Sequence, residues 1–268
     1  MTSLKSRVLV AVVGVPLLLW VVLGAPAAVV AFMLTVLAGI GGAELQQCVS
    51  GERESTIIGI SAVLAMAMVQ FYAQLPEWIA VLALLGVLCV FGYAVVKGGE
   101  IKFPQIMVAT FGSLSIGYSF SAFLRLADAG YHRAFLLLPF ILSFACDTAA
   151  YFVGCTMGKH KLAPKVSPKK SVEGAVGGLA GNLLAGLLFA FVMNRWFGGT
   201  IAYGTMAVLA LCCGVVAQLG DLSFSLIKRE FGIKDYGKLF LAHGGVLDRF
   251  DSVLFVVPVI EIVLDLMK

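Results

Sequence analysis

"IAYGTMAVLALCCGVVAQLGDLSFSLIKRE", Ile201–Glu230, changes character partway along. Ile201–Leu219 carries no charge and approaches the length of about 20 apolar residues that a helix needs to cross about 30 Å of hydrocarbon. If the helix continues past Leu219, then Asp221, Ser225, Lys228 and Arg229 stand at i, i+4, i+7 and i+8 and share one face. The stretch therefore predicts a membrane helix whose end carries a carboxylate, a hydroxyl and two cations on a single stripe. Such a stripe can hold a metal and the oxygens of a phosphate together. The plainer alternative is a solvated helix end with local ion pairs.

The rest of the chain repeats the first half of that pattern. Of its 268 residues, 60% are hydrophobic and 13% charged, against a charged share of roughly 25% in soluble proteins; the mean hydropathy is +1.01. Apolar segments at Val8–Leu23, Ala27–Ala43, Ile57–Leu75, Trp78–Val96, Phe103–Leu124, Ala134–Val153 and Val172–Met193 read as further spans. Ser252–Lys268 is weaker, because Glu261 and Asp265 interrupt it. The expected fold is an all-α polytopic integral membrane protein with about nine transmembrane helices. Val8–Leu23 is read as a retained helix rather than a signal peptide, since the chain continues as back-to-back spans.

Lysine and arginine placement sets the expected orientation. With the N-terminus cytoplasmic and nine crossings, the outer side keeps only Arg125, Arg133, Arg195 and Lys268, four of the nineteen Lys and Arg residues, and the C-terminus lies outside. A compact chain without a transit segment fits a bacterial-type plasma (inner) membrane, with the charged loops facing the cytoplasm. The six cysteines have no metal-ligand spacing and read as packing residues.

Residues 1–133 read as helices joined by short connections, a scaffold that can also form a lateral wall for membrane lipids. Residues 134–268 hold the chemistry: the two cytoplasmic loops there carry ten of the nineteen basic residues. The first, "GKHKLAPKVSPKKSVEG", contains Pro164 and Pro168, which forbid a continuous helix. It is expected to be a flexible basic loop suited to an entering polyanion, with Lys169 and Lys170 facing nucleotide phosphates. The second ends in "LAHGGVLDRFD", Leu241–Asp251. Gly244 and Gly245 let the backbone approach a ligand closely. Asp248 and Asp251 fall on one face of a helix starting there, and Arg249 between them offers a fork for phosphate. Asp147 lies inside the sixth span, and an intramembrane carboxylate needs a partner from another helix. A structural hydrogen bond explains it equally well. Gly154 and Gly158, with Gly174, Gly177, Gly178 and Gly181, read as close helix-packing positions. His243 is the histidine beside the charged cluster. No Walker loop, H-E-x-x-H or nucleophile elbow is present. Cytoplasmic aspartates with Lys, Arg and Ser fit metal-assisted chemistry on phosphates at a bilayer surface.

Ser225–Asp251, "SLIKREFGIKDYGKLFLAHGGVLDRFD", resembles the motif of the CDP-diacylglycerol synthases (phosphatidate cytidylyltransferases): S-x-x-K-R-x4-K-D-x-G, then H-G-G-x-x-D-R-x-D. Asp147–Gly174 resembles the family's second block. Leu241-Ala242 departs from the small turn pair usual before His-Gly-Gly, which alters the entry to His243. The resemblance implies that CTP and phosphatidate give CDP-diacylglycerol and pyrophosphate. It implies Mg²⁺, with room for a second metal or a monovalent cation, held by Asp221, Asp248 and Asp251. It makes Ser225, Lys228, Arg229 and Arg249 phosphate-binding candidates. Lys234, Asp235 and His243 are further motif members, and Asp147 is a supporting site residue. It also implies a homodimer; nothing points to nucleic acid. The rival readings are a cytidylyltransferase for another lipid phosphate, and, from other classes, a transporter or an inactive scaffold. A transporter predicts ionisable groups spread through the membrane rather than gathered in two loops.

Overall fold

The computed structural model describes residues 14, 16–51, 54–72, 75–239 and 244–266, with side chains omitted at 75–79. Expectations for His243, Leu241 and Ala242, and for residues 8–13 and 15 of the first span, lie outside the described residues. The protein is an all-α integral membrane protein in architecture. Five of the described helices are long and apolar enough to cross a bilayer. A two-stranded hairpin is the one sheet among the described residues. Chain contacts divide the molecule into two compact units: residues up to Tyr131 with Glu230–Phe250, and His132–Arg229 with the residues from Asp251 onward.

The first unit comprises α1 (16–24), α2 (Ala27–Ser50), α3 (Ser55–Gln70), α4 (Leu75–Val96), α5 (Phe103–Met107), a π turn (Val108–Gly112) and α6 (Ser113–Asp128). Small residues let α2, α3 and α6 come together: a Cβ on Gly42 would lie 2.9 Å from the Ser61 carbonyl, and one on Gly117 would lie 2.6 Å from Met68 Cβ. The buried Gln46 side chain donates to Ser50 Oγ (2.7 Å) and to the Gln105 carbonyl (3.2 Å), and accepts from Ser61 Oγ (3.3 Å). These bonds satisfy an amide that apolar surroundings would otherwise penalise. They also carry α2 beyond its expected end at Ala43 as far as Ser50. In contrast, α3 is 16 residues long. At about 1.5 Å per residue it is shorter than the hydrocarbon thickness.

The second unit holds a 3₁₀ turn (Arg133–Leu137), α7 (Leu138–Met157), β1 (Lys161–Ala163), β2 (Ser167–Ser171), α8 (Val172–Trp196) and α9 (Tyr203–Glu230). The last helix, α10 (Leu247–Leu266), starts in the first unit and continues into the second. The basic loop expected to be flexible is instead an antiparallel hairpin, with Lys161 opposite Ser171 and Ala163 opposite Ser167. Ser171 ends it and caps α8, accepting the Gly174 N–H at 3.1 Å. The Asn182 amide donates to the Ala210 carbonyl at 2.8 Å, joining α8 to α9.

The glycine stripe of α8 is in contact with α7, as its spacing predicts. A Cβ on Gly177 would lie 2.5 Å from Val153 Cβ, and one on Gly174 would lie 2.8 Å from the Ala150 carbonyl. Gly177→Leu must therefore push the helices apart, at a cost of about 1–3 kcal/mol. We expect it to lower the unfolding temperature in detergent by several degrees. Gly59→Leu, where a Cβ meets nothing within 4 Å, serves as the control and leaves that temperature unchanged.

Candidate active site

The second unit gathers one charged group of residues. Helix α9 continues through Leu219 to Glu230, so Asp221, Ser225, Lys228 and Arg229 do share a face. Ser225 Oγ donates to Asp221 Oδ1 at 3.3 Å, the i,i+4 contact that the spacing calls for. Arg229 Nε donates to the Val166 carbonyl at 3.3 Å, fastening the end of α9 to the hairpin. From β2, Lys170 turns inward and pairs with Asp221; each side chain is about three-quarters buried. Neighbouring Lys169, which also lines a cavity beside these residues, is exposed.

Asp147 on α7 and Asp251 at the start of α10 complete the group. Asp251 precedes the final apolar stretch. Burial pushes its carboxyl up to about 7; the Asp221 and Asp147 charges add to the rise, while the Ser252 N–H and Lys228 oppose it. Lys170 likewise lies within Coulomb range of Asp147. Three carboxylates within Coulomb range of one another, with Lys170 and Lys228 also in range, form a site suited to exchanging its internal counter-ions for external ones.

A cavity of about 530 Å³ opens beside the group, lined by Asp147, Tyr151, Lys161, Lys169, Lys170 and Asp221 among others. Its volume is in the range of small-molecule sites, roughly 300–1,000 Å³. The basic hairpin forms one wall and acidic helix positions form another.

In the first unit the turn before α10 is built around carboxylates. Gly244 has φ +84°, a conformation glycine adopts without strain. Asp248 is buried, and its Oδ2 accepts the N–H groups of Tyr236 (2.7 Å) and Gly245 (3.0 Å). Lys234, Asp235 and Arg249 are exposed. Sequence reasoning missed Glu44. It sits in α2, only 7% exposed, and its Oε1 and Oε2 accept the N–H groups of Val246 (3.0 Å) and Leu247 (2.9 Å). The signal that could have found it was the one used for Asp147, an acidic residue continuing an apolar run.

The donors available for a metal are carboxylate oxygens, the hard ligands that suit Mg²⁺. Among the described residues no three His, Cys, Asp or Glu side chains close on one point as a metal cage. Mg²⁺ is usually bound through one or two carboxylates with substrate phosphates supplying the rest, so Asp221 with Asp251 or Asp147 fits that mode.

Comparison with known proteins agrees with the motif. The family model described as the cytidylyltransferase family matches residues 5–267. The phosphatidate cytidylyltransferase of Staphylococcus epidermidis is 31% identical over 213 residues, which cover 78% of this chain and 80% of that protein. Those of Staphylococcus aureus and Staphylococcus saprophyticus are 32% and 33% identical over 217 and 216 residues, with the same coverage of each chain.

Proposed function

The chain belongs to the cytidylyltransferase family, and on that premise we propose that it is a nucleotidyltransferase converting CTP and phosphatidate to CDP-diacylglycerol and pyrophosphate. The observation that carries the reading is the Lys170–Asp221 pair at the cavity wall. A triphosphate can take over the lysine, which leaves the aspartate to a divalent cation.

An oxygen of the lipid phosphate bonds to the α-phosphorus of CTP as the bond from that phosphorus to the bridging oxygen of the β-phosphate breaks, and pyrophosphate leaves. A phosphatidate phosphate is already anionic near neutrality, so the attack needs no strong base. Lys169 and Lys170 hold the nucleotide phosphates, Ser225 and Arg249 bind phosphate oxygens, and Lys228 and Arg229 neutralise charge that develops during transfer. Asp221 with Asp251 would hold Mg²⁺, which when bound would neutralise phosphate oxygens and polarise the reacting phosphorus; Asp248 enters as the third carboxylate that the motif assigns to the metal. Lys234, Asp235 and His243 enter through the motif. The proposed setting is a bacterial-type inner membrane crossed about nine times, with the hairpin on the cytoplasmic side where CTP is supplied. The family resemblance further supports a homodimer.

The test is transfer by the purified protein in detergent micelles containing phosphatidate, labelled CTP and Mg²⁺. Label should enter the organic phase, and should stop doing so when the metal is chelated or phosphatidate omitted. Folded protein that transfers no label to any of several lipid phosphates, with Mg²⁺ or Mn²⁺, overturns the reading. Preferential transfer to a different lipid phosphate in a competition assay would assign the sibling activity instead.

A further inference from the structure

We propose that Glu44, on a helix outside the family's charged motif, is a positioning residue for the reaction: it fixes the turn that presents Asp248. The inference rests on the cytidylyl-transfer reading above, in which Asp248 belongs to the working machinery.

A buried carboxylate is costly unless its lone pairs are occupied, yet Glu44 is nearly fully buried in an apolar helix and, among the described residues, forms no ion pair with a lysine or arginine. Its hydrogen bonds go to the backbone, to the Val246 and Leu247 N–H groups, 202 and 203 residues further along the chain. Those donors open α10, where a helix leaves N–H groups without internal acceptors and favours negative charge. Asp248 grips the same turn from the other side through the N–H groups of Gly245 and Tyr236. Three consecutive backbone donors, Gly245 to Leu247, are thus held by two carboxylates that also repel one another. That arrangement holds the turn in one place at a cost that mere packing would not require.

The glycines around it fit the same role. A Cβ on either Gly237 or Gly245 would collide with the Glu44 carboxylate, and one on Gly41 would lie 3.2 Å from Leu247 Cδ2. These positions are small so that the acidic side chain can reach the backbone.

Glu44→Gln keeps the size of the side chain but replaces one acceptor oxygen with an amide that points N–H at N–H. The test compares it with wild type in micelles by three readouts: cytidylyl transfer as a function of Mg²⁺ concentration, the unfolding temperature, and amide hydrogen exchange of the metal-free protein. We expect the Mg²⁺ concentration for half-maximal rate to rise about tenfold, within the range seen when groups that orient metal ligands are removed. Exchange should accelerate in the segment from Tyr236 to Phe250 and nowhere else. Gly245→Ala, whose Cβ would collide with the same carboxylate, should give the same two changes, and Glu44→Asp should restore part of the metal response. An unchanged metal response in Glu44→Gln overturns the proposal while leaving the activity assigned above intact. So does a loss of rate that only follows the folded fraction. A wild type that transfers no label overturns the reaction reading, and this inference with it.

Discussion

Asp221→Asn lowers kcat for cytidylyl transfer by about 100-fold or more, equivalent to about 2.7 kcal/mol of transition-state stabilisation. The substitution is nearly isosteric, so Ser225 Oγ keeps an oxygen to donate to and the end of α9 keeps its shape. The negative charge is lost, however, and with it the affinity of the position for a divalent cation and the counter-charge of Lys170. Folding should respond differently. Asp221 adds to the repulsion felt by Asp251, so removing its charge relieves one unfavourable interaction as it breaks a favourable one. The unfolding temperature should move by no more than a few degrees while activity collapses. Kinetics and thermal unfolding on the same preparation check both halves of the prediction. Activity within threefold of wild type would remove Asp221 from the metal-binding role.

This separation of effects follows from features that were partly legible in the sequence. The charged face of α9 could be read because helical spacing is local: Asp221 and Ser225 are four apart and meet wherever the helix persists. The glycines of α8 could be read for the same reason. The hairpin could not. Pro164 and Pro168 rule out a helix, but they do not say that Lys161 will pair with Ser171 or that Lys170 will turn inward to Asp221 while Lys169 stays exposed. Glu44 was hidden for a different reason. Hydropathy ends α2 at the first charge, whereas the helix runs on because Glu44 and Gln46 find acceptors and donors elsewhere in the unit. Partners some 200 residues away leave no local trace. A polar residue that extends an apolar run is therefore better taken as a question about its partner than as the end of the helix.

The Lys170–Asp221 pair supplies the second large effect. Lys170→Met takes the neighbouring cation from Asp221 and Asp147, while the Asp251 charge still repels both. Breaking a fully buried pair by removing one member costs about 3–5 kcal/mol. This pair retains some contact with solvent, so a loss of about 1–3 kcal/mol is the expected size, together with a rise in KM for CTP of about tenfold or more as the triphosphate loses its buried cation. Lys169→Met is the natural contrast. Its side chain lines the same cavity but is exposed to solvent, so the stability of this variant should stay within about 0.5 kcal/mol of wild type, with a smaller rise in KM. The double variant Lys170→Met, Asp221→Asn then separates two accounts of the pair. If each residue mainly neutralises the other in the free protein, the double variant recovers part of the stability lost by Lys170→Met, with a coupling of about 0.5–3 kcal/mol. It recovers none of the activity, because both groups are needed once substrate has parted them. Simple additivity in stability would mean that the contact carries no energy in the resting protein, and that Lys170 and Asp221 act on substrate as independent charges.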